Sequence, residues 1–141
     1  MDVPKHLRLE FVTPNRSIVH QDVDEVEIPG EGGYFGVLPG HAPLLSTLKS
    51  GQFWYRTGKD VTYGFVSGGF VEVVPDRVSI LAQVAERADE IDIERAEAAK
   101  RRAQDRLAKP TADMDFERAR VALVRAIARL EISRHARPTR A

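Results

Sequence analysis

Near residue 90 the spacing of apolar residues changes, and that change constrains the architecture more than any other feature. Before it, the chain alternates. Leu7, Leu9 and Phe11 are separated by Arg8 and Glu10, the two-residue period of a strand with one buried face. Val23, Val26 and Ile28 form another short extended run. Gln52 to Thr57, Val61 to Ser67, Phe70 to Val74 and Val78 to Val84 are rich in β-branched and aromatic residues, which suit a pleated, half-buried surface. Pro14-Asn15, Pro29-Gly30, Gly58-Lys59-Asp60, Gly68-Gly69 and Pro75-Asp76 read as turns between them. Many short strands at this spacing predict a β-sandwich or flattened barrel.

After residue 90 the residues are those of helices. Ile91 to Leu107 and Asp115 to Ser133 are dense in Ala, Arg, Glu and Leu. Asp92 is placed to cap the first helix, and Asp113 or Asp115 the second, while Lys109-Pro110 ends the first. The short link predicts an antiparallel hairpin. Ala96, Ala99, Ala103 and Leu107 repeat at three-four spacing, as do Phe116, Ala119, Leu123, Ala126 and Leu130. Alanine stripes bring helices close but bury little area, so the hairpin is expected to be a weak unit that leans on other surfaces. Val121, Val124 and Ile127 offer apolar surface for such a contact. The chain thus reads as mainly β plus α. Residues 1–88 form a β-sandwich domain, and residues 89–141 a C-terminal helical hairpin with a basic tail.

Charge is segregated along this division. Lys+Arg and Asp+Glu both number 21 over 141 residues. Yet Arg118 to Ala141 holds seven arginines and one acid, Glu131, for a local charge of +6 against −6 before it. The C-terminal segment is therefore suited to an anionic partner, or to a solvated helix face with a loose tail. Cysteine is absent, which excludes disulfides and thiolate metal sites. MDVPKHLRLEF has no apolar run of signal length, and no stretch reaches the length of a membrane span. The expectation is a soluble protein, or one brought to a membrane by a partner without inserting into lipid.

Catalytic signatures fail one by one. His6, His20, His41 and His135 are dispersed, so no metal site is expected. Gly30 to Gly36 looks glycine-rich but misses the dinucleotide fingerprint by one position. Ser67 misses the nucleophile elbow by one as well. Gly58-Lys59 lacks the other parts of a phosphate loop. His41 as a general base has no orienting acid nearby in sequence. No catalytic residue is assigned. The alternative for His41 is a stiff apolar loop, with prolines limiting its freedom and Leu44 and Leu45 anchoring it.

That loop, Gly36-Val37-Leu38-Pro39-Gly40-His41-Ala42-Pro43-Leu44-Leu45, closely resembles the signature loop of the epsilon subunit of rotary F-type ATP synthases, bacterial and chloroplast type. The likeness extends over nearly the whole chain: LRLEFVTPNR, the Glu-Gly-Gly turn, the Gly68-Gly69 junction and the C-terminal helices. The resemblance implies a ten-stranded sandwich followed by a two-helix hairpin. It implies a non-catalytic rotor subunit that binds the gamma subunit and rests on the ring of c subunits. Loops Pro29 to Gly33 and Leu38 to Pro43 would form the docking end, with Glu31 and His41 as polar contacts beside Leu38, Pro39, Gly40 and Pro43. The hairpin would be a switch that extends along gamma and blocks ATP hydrolysis by the alpha/beta subunits, its charge meeting an acidic beta segment. The implied location is the cytoplasmic face of the bacterial inner membrane, as a peripheral part of F1.

A second motif, Ile91-Asp92-Ile93-Glu94-Arg95-Ala96, resembles the I/L-D-x-x-R-A pattern of epsilon subunits that bind ATP in the hairpin. Glu86, Arg102, Arg125 and Arg129 match their further ligands. No cofactor is required; regulatory ATP, with or without Mg, is the implied ligand. The spacing is consistent without the family. Arg95 and Arg102 are seven apart, and Arg125 and Arg129 four apart, so each pair shares a helix face. Guanidinium forks suit phosphate. The same arginines also suit the acidic beta segment, and Asp92 with Arg95 suits a simple cap, so these readings stay open. Rival functions are an inert-hairpin adaptor of the same family, a nucleic-acid module using the tail, and a hydrolase on His41 or Ser67. The tail lacks interleaved aromatics and the sandwich is acidic, so no nucleic-acid partner is expected.

Overall fold

The computed structural model describes residues 3–111 and 115–135. The chain divides into two compact units, Met1–Arg87 and Ala88–Ala141. In the first, eight strands follow in order: β1 (Leu7–Val12), β2 (Ser17–Val23), β3 (Glu25–Gly30), β4 (Gly33–Val37), β5 (Leu44–Thr47), β6 (Gly51–Thr57), β7 (Asp60–Val74) and β8 (Arg77–Arg87).

The two long strands make the sandwich. The first half of β7 pairs with β6 and its second half with β5. The first half of β8 lies parallel to β1, while all of β8 follows β7 antiparallel. One layer therefore runs β2-β1-β8-β7-β5 and the other β8-β7-β6-β3-β4. Counted by layer, β7 and β8 each serve twice, which gives the ten strands that the resemblance implied. The bend lies at Gly68-Gly69, inside β7 and not in a turn between strands. Both residues have positive φ, +74° and +114°. A Cβ on Gly69 would stand 1.9 Å from the Leu81 carbonyl oxygen of the neighbouring strand, so only glycine lets the two backbones pass this close.

Period-two alternation puts Leu7, Leu9 and Phe11 of β1, Val26 and Ile28 of β3, and Phe53 and Tyr55 of β6 into one core. The Phe11 and Phe53 rings meet across the layers at 4.8 Å between centroids and 51° between planes, a tilted contact that adds to simple area burial. Pro29-Gly30, read above as a turn, closes β3 instead. The two-residue turn is Glu31-Gly32, and Gly33 behind it takes φ +125°.

In the second unit, a 3-10 turn (Ala88–Glu90) precedes α1 (Ile93–Ala108) and α2 (Phe116–Ser133). Asp92 caps α1 by accepting from Arg95 N, and Asp115 caps α2 by accepting from Arg118 N. Asp113, the other capping candidate, lies outside the described residues, as does most of the basic tail. Lys109 closes α1. Ala96 and Ala103 of α1 and Ala119 and Ala126 of α2 are buried, so the helices meet through alanine as the stripes predicted. Phe116 and Val124 stay more than half exposed.

Candidate functional site

Leu38, Pro39, Gly40, His41 and Pro43 lie in the connection from β4 to β5. Gly40 N donates to Pro75 O at 2.7 Å, and His41 N donates to Leu38 O at 3.1 Å, so the loop is pinned to the β7–β8 turn and to itself. Gly40 has φ +87°, and a Cβ there would meet Val3 at 2.8 Å. The His41 ring spends Nδ1 as a donor to Ala42 O at 2.7 Å. That bond ties the imidazole to the loop backbone and leaves Nε2 as the ring's remaining polar atom. Leu38 and Leu44 are exposed beside it. The result is a loop held by two backbone hydrogen bonds that leaves two leucines exposed.

Glu31 sits elsewhere. Its backbone N donates to Thr47 O at 3.1 Å, and Thr47 Oγ1 donates to its carboxylate at 2.6 Å. Thr47 ends β5, whereas the His41 loop precedes β5. The structure thus does not bring Glu31 and His41 to one loop cluster. They occupy opposite ends of β4, a five-residue strand about 16 Å long.

Among the described residues, no side-chain cluster has the form of a catalytic centre. Ser67 is buried and shares a 2.6 Å hydrogen bond with Ser50. Among the described residues no group of three His, Asp or Glu side chains is placed to hold a metal ion. A structural polar cluster surrounds Asp24, which accepts from Gly58 N at 2.7 Å and meets His6 Nδ1 at 3.1 Å. The Gly58 amide, then the His6 bond, hold its carboxyl below the usual carboxylate range.

On the outer face of the first layer, register aligns Thr47, Phe70, Leu81 and Val12 across β5, β7, β8 and β1. Leu45 lies diagonal to Phe70. Leu45, Phe70 and Leu81 are 73%, 51% and 49% exposed, an uncovered apolar row that the sequence reading did not single out. Alternation assigns residues to two faces but does not say which outer face stays bare.

Of the nucleotide candidates, Glu86 lies in β8, in the first unit, paired in register with Phe65. Ile91 is buried before α1, and Asp92 is its cap. Arg95, Arg102 and Arg125 are exposed and Arg129 is half-buried. The hairpin places these four arginines on one edge. A groove between the helices is lined by Ile93, Glu97 and Lys100 of α1 and Ile127, Leu130, Glu131 and Arg134 of α2. Glu97 and Ile127 each follow a buried alanine, Ala96 and Ala126. Arg95, Arg102 and Arg125 each precede a buried alanine, 200° from those positions. In an antiparallel pair, equal offsets from the seam fall on the same edge, so the arginines line the edge opposite the groove. Arg118, before buried Ala119, and Arg106 belong to it too. Reading pairs of arginines missed these two; the Arg-Ala dipeptide repeated at seven-residue spacing was the signal for Arg118, while Arg106, followed by Leu107, shows only in the four-residue step from Arg102.

The described residues thus combine a two-layered β-sandwich with a two-helix hairpin. Comparison with known proteins gives the family. Residues 6–88 match the beta-sandwich domain of the ATP synthase Delta/Epsilon chain, and residues 89–134 its long alpha-helix domain. The ATP synthase epsilon chain of Syntrophobacter fumaroxidans is 48% identical over 127 residues, covering 90% of this chain and 95% of its own. That of Bacillus licheniformis is 46% identical, covering 92% and 99%. A chain in the cryo-EM structure of the Euglena gracilis mitochondrial ATP synthase (OSCP, F1 and c-ring) superimposes with TM-score 0.70 at 23% identity, over 95% of this chain and 81% of that one. The chain belongs to the ATP synthase epsilon chain family, a non-catalytic subunit of the F1 sector, peripheral to the membrane. No helix among the described residues is long and apolar enough to cross one.

Proposed function

We propose that this subunit works on the rotor of a proton-translocating ATP synthase, joining the gamma subunit to the c-ring and restraining ATP hydrolysis through its hairpin. The observation that carries the adaptor role is the bare apolar row Leu45, Phe70 and Leu81. Apolar side chains contiguous on a rigid sheet face are stable in water only at a cost that a protein partner removes. Gamma is assigned to this face. The His41 loop is assigned to the c-ring: rigid, with exposed Leu38 and Leu44 as apolar contacts and Nε2 as the polar one. Glu31 joins that contact only with a partner spanning the full length of β4. Attachment at the cytoplasmic face of a bacterial inner membrane then follows through these partners and without lipid insertion.

The hairpin is assigned the regulatory role. Its alanine interface is small, and α2 keeps Phe116, Val124 and Ile127 uncovered for a second docking position. Its arginines suit both an acidic segment of the beta subunit and the phosphates of ATP, with or without Mg. ATP that binds the folded hairpin better than the extended one shifts the population toward the folded, non-inhibiting form. Glu86, Ile91, Asp92, Arg95, Arg102, Arg125 and Arg129 are the assigned nucleotide residues.

Truncation after Thr111 in the assembled synthase tests this. Hydrolysis should rise several-fold at low ATP and less at high ATP, where the hairpin is already folded. Unchanged hydrolysis at every nucleotide level would leave only the adaptor with an inert hairpin.

A further inference from the structure

Cross-strand register lays out the outer face of the first layer in rows. One row runs His20, Glu10, Ser79, Glu72 and Leu45 across β2, β1, β8, β7 and β5. On one side of it lies the row that holds Leu81 and Phe70, and on the other a row of Asp22, Arg8, Arg77 and Val74. Both arginines of this face already have an acid. Arg8 meets Asp22 at 3.4 Å, and Arg77 meets Glu72 at 3.9 Å. Glu10 is left over. It is half-buried, and its side chain makes no hydrogen bond or ion pair among the described residues. Ser79 beside it offers a hydroxyl but no charge. His20 stands opposite on the edge strand β2, exposed.

A partner that covers Leu45, Phe70 and Leu81 also takes Glu10 out of water, because Glu10 shares a row with Leu45 and is the diagonal neighbour of Leu81. A desolvated carboxylate without a counter-charge opposes binding and offsets part of what the apolar contact contributes. We infer that the gamma surface docking here carries a lysine or arginine that seats on Glu10, beside an apolar patch that covers Leu45, Phe70 and Leu81. Apolar contacts alone allow many sliding positions; one ion pair at their border selects a single one and rejects a partner that lacks the cation. The inference rests on the assignment of gamma to this face and adds the chemistry by which the two are matched.

Titration of the full chain into an F1 sector stripped of this subunit tests it, with dissociation constants read at several salt concentrations. Glu10→Gln keeps the shape and removes the charge. It should weaken binding about tenfold and flatten the salt dependence. Glu10→Lys sets like charges together and should weaken binding about tenfold further. Asp60→Asn removes one exposed acid at the β6–β7 turn, off this face, and should change affinity less than about twofold. His20→Gln should be as mild, since the counter-charge comes from the partner. Phe70→Ala should weaken binding and leave the salt dependence as it was. Equal affinities for Glu10→Gln and Asp60→Asn overturn the inference, and so does a Glu10→Lys variant no weaker than Glu10→Gln. A loss with His20→Gln as large as with Glu10→Gln overturns it too, because the counter-charge is then this chain's own. Weakening by Phe70→Ala alone keeps gamma on this face without the ion pair. Normal binding by both Phe70→Ala and Glu10→Gln retires the face assignment as well.

Discussion

The two units of this chain are built from opposite kinds of core. The sandwich core fully buries Phe11, Phe53, Leu7, Leu9 and Ile28. Along the seam between its helices, the hairpin buries Ala96, Ala103, Ala119 and Ala126. A large apolar side chain contributes about 1.5–3 kcal/mol on burial, whereas a methyl group contributes under about 1 kcal/mol. Backbone ordering costs the same per residue in both. The sandwich core is therefore built on large side chains, and the seam between the two helices on methyl groups.

Breaking the sandwich core is expected to have the largest effect. Phe53→Ala removes a ring packed on Phe11 and should cost about 3–5 kcal/mol, read as a drop in the denaturant midpoint of strand signals. A cost below about 1 kcal/mol would show that the core repacks freely and that the contrast with the hairpin is false. Next comes the hairpin cap. Asp92→Ala should cost α1 about 1 kcal/mol, about a fivefold faster exchange of its amides, with β1 and β7 amides unchanged. Equal acceleration in both units would mean that they open as one. Smallest is the effect of the surface cluster. Asp24 has a lowered folded pKa, so its contribution is present above the ordinary aspartate value near 4 and is lost as pH falls through the folded value. Asp24→Asn should lower Tm at neutral pH, and the deficit should shrink on acidification below about pH 4. A deficit independent of pH would remove ionisation from the account.

Local elements were legible because their causes are local. Strand alternation in Leu7 to Phe11, the Asp92 and Asp115 caps and the stop at Lys109 each depend on neighbours within four residues. The Gly68-Gly69 pair was visible but misread as a turn. Its function is to let Leu81 of another strand pass close to the backbone, and no local pattern encodes that approach. Pro29-Gly30 misled for a similar reason: proline signals a turn, but this one ends a strand whose last pair is Gly30 with Gly33. Glu31 and His41 look adjacent in a line of sequence and stand a strand length apart.

The sequence by itself determined the two-part architecture, the absence of a catalytic constellation and the family, because periodicity, residue chemistry and an unusual ten-residue loop are all linear properties. Only the tertiary structure decided how the ten strand segments arise from eight strands, which sheet face stays bare at Leu45, Phe70 and Leu81, and which edge collects Arg106 and Arg118 with the other arginines. Those depend on pairing between segments far apart in the chain. Their register is set by the packing of the whole core, and for the helices by which side of each alanine stripe turns toward its partner.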